Sequence, residues 1–299
     1  MKVANILKKY TMTIALVVVF VFFTFLTGGR LIYAQNISNL LLQNAYVLVM
    51  ACGMLLCILT GGNVDLSVGS TLCLSAALSA KLMQGGANAG VAILASLAIA
   101  AVIGLFQGYL IGYVHIPPFI CTLAGMFLWR GVGRVILDSK TISIQNKSFL
   151  NLFSSYIQIP GLDSDKHYVS ALIVGIVVAV IATVMMLRSR AVQRKNGTVT
   201  GSEVGAIIKL VIIDALIVIY SWKLMQYKGI PVMLLWILAV VLIFGFITGS
   251  TVFGRYFYAV GGNEKATKLS GIDPRKVYFW AYFLMSFLAG ISGLLMGAR

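Results

Sequence analysis

An all-α, polytopic transmembrane helical bundle is the fold class this sequence predicts, on three observations. Of 299 residues only 10% are charged and 60% are hydrophobic, with a mean hydropathy of +0.97; a soluble domain of this size needs more polar surface. Apolar runs of about 18 residues or more recur, each long enough to cross a hydrocarbon core of about 30 Å as a helix. The runs are continuous, whereas a transmembrane barrel would show short alternating segments.

About nine apolar segments follow in order: 11–28, 37–60, 67–83, 88–112, 117–136, 168–187, 204–222, 230–248 and 277–297. The first follows Lys8 and Lys9, as in a signal peptide, but no small-residue cleavage site comes after it. It is therefore read as an uncleaved span.

The second and third segments meet at "TGGNVDLSVGS", residues 60–70. Two glycines interrupt the apolar run, and Asp65 and Ser67 are good N-cap types for the helix that continues to Met83. One reading is a cytoplasmic turn that caps a helix. The other is a helix broken at membrane depth, whose freed backbone groups line a polar cavity. A sugar would suit such a cavity, with Asn63, Asp65 and Ser67 supplying donors and acceptors as substrate-path candidates.

The fourth segment carries Gly104, Gly108 and Gly112 on one face. Gly245 with Gly249, Ser286 with Gly290, and Gly293 with Gly297 repeat this spacing, which lets helix backbones approach closely. The fifth begins at Pro117–Pro118, which leaves a re-entrant or distorted helix open, and holds Arg130 and Arg134 near its far end. Four apart, these share a face. They either snorkel outward or contact a permeant or a receptor.

An outer loop, 137–167, comes next; its three acids and three bases cancel. The seventh segment holds Lys209 and Asp214, about 140° apart around a helix and so not a helical pair. Asp214, near mid-span, is costly unless paired or wet. An interhelix contact suits it better than a proton relay.

Between the last two segments lies "GRYFYAVGGNEKATKLSGIDP", residues 254–274. Asn263 is placed to cap a short helix with Glu264 in its first turn. Glu264 and Lys268 stand at i,i+4 in the favourable order. Gly271 fits the C′ position, and Pro274 forbids continuation. Roughly two turns result, with Ala266 and Leu269 on one side, too short to be stable alone in water. Such a piece docks on a partner.

Alternating the spans from a cytoplasmic N-terminus places Lys2, Lys8 and Lys9 inside, with Arg188, Arg190, Arg194 and Lys195, and with Arg255, Lys265, Lys268, Arg275 and Lys276. This agrees with the positive-inside rule. The net charge of +15 is scattered in such loops, so nucleic acid is excluded as a partner. Cys52, Cys57, Cys73 and Cys121 lie in apolar runs without metal-ligand spacing. His115 and His167 are lone and far apart, so no metal site is expected. No phosphate-cradling GxxxxGK[ST] loop and no nucleophile–base constellation is present. The chain is therefore not read as an enzyme, which leaves transport, conduction or scaffolding.

Three stretches carry a family resemblance. "GGNVDLSVGS", "IPPFICTLAGMFLWRGVGR" and "GRYFYAVGGNEKATKLSGI" resemble segments of bacterial ABC-transporter permeases for monosaccharides, the ribose and xylose type, over most of residues 36–299. The basic loop 188–203 and the span 204–222 look like the xylose or multiple-monosaccharide subgroup. The resemblance implies one transmembrane permease domain with a cytoplasmic coupling loop at 249–276. It implies a second permease copy, a cytoplasmic ABC ATPase subunit that carries ATP and Mg, and an extracytoplasmic sugar-binding protein, with the chain in the bacterial inner membrane and binding no cofactor itself. By position, Gly261, Gly262, Asn263, Glu264, Ala266, Leu269, Ser270 and Gly271 form the ATPase-coupling region. Family members continue through further spans past the position of Arg299, so this chain is expected to lack them. The rival readings are an ion-coupled secondary carrier that uses Asp214 or Asp65, and a non-transporting scaffold.

Overall fold

Each of the nine apolar segments folds as a helix in the computed structural model, which describes residues 2–164, 167–197 and 203–299. In chain order the helices are α1 (Lys2–Leu26), α2 (Ala34–Leu59), α3 (Val68–Gln84), α4 (Ala89–Gly112), α5 (Pro118–Ile136), α6 (Lys147–Phe153), α7 (Val169–Lys195), α8 (Glu203–Met225), α9 (Val232–Ser250), α10 (Val252–Gly262), α11 (Glu264–Leu269) and α12 (Pro274–Gly297). Seven of the nine are long and apolar enough to cross a membrane; α3 and the apolar part of α1, Thr11–Leu26, are shorter. The expected distortion of the fifth segment is not found. α5 is one unbroken helix with Pro118 in its first turn, where the missing N–H would have had no helical partner.

The described residues divide into two units, Met1–Leu41 with Tyr156–Ile230, and Leu42–Ser155 with Pro231–Arg299. In the first, α7 and α8 pack as a hairpin. Gly175 lets the Ser221 side chain lie directly on the α7 backbone. Thr183 Oγ1 donates to Asp214 Oδ2 at 2.7 Å, so Asp214 makes the interhelix contact expected of it. Lys209 is exposed, and Arg194 pairs with Glu203 at 2.6 Å. Residues 198–202 of the basic loop, and Asp165 and Lys166 of the outer loop, lie outside the described residues.

The second unit is built around α12. Of the apolar window of α12, 61% is buried, against 11–28% for the other six spans; those present bare apolar faces, as lipid-facing helices do. The glycine stripes explain the close packing. A Cβ on Gly104, Gly108 or Gly112 of α4 would come within 2.9, 2.7 and 2.5 Å of α12 backbone atoms of Phe283, Phe279 and Arg275, so only glycine admits this approach. Gly293 meets the Leu72 carbonyl of α3 in the same way, at 2.5 Å. Ser75 and Ser96 each donate to the other's carbonyl, at 2.8 and 2.9 Å, and tie α3 to α4. Gly245 and Gly249 of α9 have nothing near them, so that stripe serves no contact among the described residues.

Within this unit the C-termini of α2, α4 and α10 and the N-termini of α3, α5 and α12 share one end. Asn63, His115, Pro117, Glu264, Arg275 and Tyr278 line one cavity there.

Candidate functional site

The segment before Asn263, expected as loop, is the helix α10. Thr251 caps it, its Oγ1 accepting from Gly254 N at 3.0 Å, and Gly254, Phe257 and Val260 form its buried stripe. At its C-terminus Gly261 touches the Leu59 carbonyl, where a Cβ would collide. The junction of α10 and α11 is thereby seated on the end of α2. Gly262 has open space around it.

α11 is built as its sequence predicts. Asn263 Oδ1 accepts from Ala266 N at 3.0 Å, the N-cap bond that satisfies one free donor. Ser270 is the C-cap, and Gly271 stands at φ +84°. Gly271 N donates to Lys268 O at 3.1 Å and Ile272 N to Thr267 O at 3.3 Å. These two bonds close a complete Schellman motif, which needs the left-handed conformation that glycine provides. Ser270 Oγ also donates to Ala266 O at 3.0 Å.

Thr267 anchors this helix. It is buried, and its Oγ1 lies 2.8 Å from both the Ala259 and Asn263 carbonyls. Every other residue from Gly261 to Gly271 is exposed, and Leu269 is 90% exposed. Ala266 and Leu269 thus form a bare apolar surface on a helix capped at both ends.

The expected Glu264–Lys268 ion pair is not formed. Tyr278 Oη of α12 donates to Glu264 Oε2 at 3.0 Å, a bond from a neighbouring helix that sequence spacing does not reveal. α12 itself starts at a capped turn. Asp273 Oδ1 accepts from Arg275 N, and the Arg275 guanidinium bonds both carboxylate oxygens, at 3.0 and 3.2 Å. That guanidinium holds the Asp273 carboxyl below its ordinary value.

The substrate-path candidates separate. Asn63 lines the cavity of about 210 Å³ beside Glu264 and Tyr278. Asp65 and Ser67 are buried, at 1% and 0% exposure. Ser67 occupies the N-cap of α3 but makes no side-chain cap bond. Instead Asp65 Oδ1 accepts from Ser67 N at 2.8 Å and from Ser67 Oγ at 2.7 Å. Ser67 Oγ accepts in turn from Gln107 Nε2 of α4 at 3.0 Å. Among the described residues Asp65 Oδ2 has no partner, nor do the buried Ser70, Thr71, Tyr282 and Ser286 hydroxyls or the Trp129 Nε1. A Cβ on Gly125 would meet Gln107, Trp129 Nε1 and Ser67, so these groups converge on one point of α5. Sequence reasoning missed Gln107, Trp129 and Tyr282. Gln107 carried the clearest signal, an isolated amide within an apolar span.

Among the described residues no group of three His, Cys, Asp or Glu is placed to hold a metal. The arrangement offers no reactive constellation. It offers a rigid, exposed knob at one end of the bundle and a buried polar seam beside it.

Comparison with known proteins finds a match to the family model "branched-chain amino acid transport system / permease component" over residues 36–299. The xylose transport system permease protein of Haemophilus influenzae is 32% identical over 98% of this chain and 76% of its own length. The corresponding xylose permease protein of Escherichia coli is 28% identical over 98% of this chain and 72% of its own. The ribose import permease protein of Escherichia coli is 29% identical, over 89% and 62% respectively. No solved structure matches.

Proposed function

The chain belongs to the branched-chain amino acid transport system / permease component family, and from that membership we propose that it is the membrane permease subunit of an ATP-driven importer for a monosaccharide, xylose-like or several sugars. The observation that carries this reading is the similarity to xylose permeases along nearly the whole chain; the ribose permease supports the solute class. The chain is a multi-pass inner-membrane transport subunit. Its N-terminus lies in the cytoplasm, an orientation that the basic residues at 188–195 and 255–276 support.

In this reading ATP and Mg are held by a separate cytoplasmic ABC ATPase subunit, and sugar arrives from an extracytoplasmic binding protein. A second copy of this chain completes the pathway. The ATPase grips α11 through Ala266 and Leu269, with Asn263, Ser270 and Gly271 fixing its shape and Gly261, Gly262 and Glu264 fixing its seat. Three features support that assignment: both caps are complete, the only buried side chain is an anchoring threonine, and an apolar surface is left bare. A push on α11 reaches α12 through Glu264–Tyr278 and reaches α2 through Gly261–Leu59. Alternating access would then open the seam of Asp65, Ser67 and Gln107, where the unpaired Asp65 Oδ2 is suited to a solute's hydroxyl.

The test is uptake of labelled xylose, ribose and fructose into proteoliposomes that hold this chain, its ATPase and the binding protein. Uptake that requires both ATP and the ATPase is expected. Uptake that persists without ATPase and is abolished when the proton gradient is dissipated would favour the ion-coupled carrier.

A further inference from the structure

At the end of the second unit opposite α11, α5 finishes beside α3. A cavity of about 560 Å³ opens between them, and its lining includes Ala77, Arg130, Gly133, Arg134, Leu137 and Lys140. Its floor of Ala77, Gly133 and Leu137 is mostly apolar, and its rim carries three cations. The side chains of Arg130, Arg134 and Lys140 line it without a hydrogen bond or an acidic partner among the described residues. The nearest acid in sequence, Asp138, is bound by Lys81 at 3.1 Å. No acid lines the cavity.

This imbalance needs an explanation. Cations near a helix end can snorkel to the interface, but three of them gathered on one apolar cleft without a counter-charge repel one another and favour a bound anion. On the proposed orientation they also stand on the outer side, against the bias that keeps lysine and arginine inside. Arg134 is in the last turn of α5, where a span ending at the membrane surface would meet lipid headgroups. Arg130 is about one turn deeper, roughly 5–6 Å toward the bilayer centre. A soluble carboxylate would meet the outermost cation but would have no use for the apolar floor. An anionic amphiphile uses both.

We propose that this cleft binds an anionic phospholipid of the outer leaflet, with its phosphate held by Arg130, Arg134 and Lys140 and an acyl chain laid along Ala77, Gly133 and Leu137. Guanidinium groups suit phosphate because their planar fork bonds two oxygens at once. A zwitterionic lipid brings its own ammonium group into a pocket already positive, so a net negative headgroup is preferred.

The experiment is native mass spectrometry of the full chain in mild detergent, with phosphatidylglycerol or phosphatidylethanolamine added in turn. Phosphatidylglycerol should be retained at least about fivefold more than phosphatidylethanolamine, the scale expected of one cation near a lipid surface. Arg130→Gln with Arg134→Gln should abolish the difference. Lys140→Gln, in the exposed loop after α5, should reduce it without affecting folding. Arg188→Gln with Arg190→Gln, at the far end of α7, should leave it intact. Equal retention of the two lipids, or an unchanged preference in both cleft variants, would overturn the proposal. Full displacement by millimolar inorganic phosphate would also overturn it, because the cleft would then be a site for free anions.

Discussion

Tyr278 of α12 donates a 3.0 Å hydrogen bond to the Glu264 carboxylate of α11. Among the described residues this is the one side-chain bond that joins the exposed knob to the most buried helix of the second unit. A hydrogen bond to a charged group contributes about 1.5–3 kcal/mol, and solvent exposure at Glu264 reduces that toward the lower end.

Removing that hydroxyl with Tyr278→Phe should leave the fold intact, because the ring packing is kept. Coupling should suffer. ATP hydrolysis stimulated by the sugar-loaded binding protein is expected to fall about three- to tenfold, and Glu264→Gln should lose less, since an amide oxygen still accepts. A phosphate-release assay on the reconstituted complex reads both. Unchanged stimulation in Tyr278→Phe would remove this link from the mechanism.

The glycine stripes divide into used and unused positions. Gly108→Ala places a Cβ 2.7 Å from the Phe279 carbonyl, and overpacking of this kind costs about 1–3 kcal/mol. Its melting temperature in detergent should drop by several degrees. Gly245→Ala, which meets open space, should melt at the wild-type temperature or slightly above it, as alanine favours helix. Equal effects at both positions would contradict the packing described here.

Ser67 sits between Asp65 and Gln107. Ser67→Ala leaves the Gln107 amide without its partner and takes one donor from a buried carboxylate, a loss of about 1–3 kcal/mol. Gln107→Leu should cost a similar amount. The double variant should cost less than the sum, since both changes break the same bond. Chemical denaturation of the four proteins measures the coupling, and strict additivity would show that the network does not act as a unit.

Much of this was legible in the sequence because it is local. The caps of α11 follow from Asn263, Gly271 and Pro274, and the close face of α4 follows from glycines four apart. What spacing could not supply is the partner. It marks the stripe on α4 but not α12 as the helix that fills it, and it marks an equal stripe on α9 that touches nothing. The Glu264–Lys268 pair was allowed by helical geometry and lost to a tyrosine fourteen residues away. α10 was missed although Thr251, Gly254, Phe257 and Val260 carry a cap and a periodic buried face. The short stretch between two glycine-bearing ends, with Arg255 in its first turn, looked like loop. Asp65 and Ser67 were recognised as capping types, but their buried bond to Gln107 depends on how α4 passes α3, which no single-chain periodicity encodes.

The central claim is that a separate ATPase drives this permease through the bare surface of α11. ATP-dependent sugar uptake by Leu269→Asp, reconstituted with its ATPase and binding protein, tests it most directly. Leu269 is 90% exposed, so the substitution should change stability by no more than about 0.5 kcal/mol. The account predicts a folded protein with uptake reduced at least tenfold. Wild-type uptake by this variant would contradict it.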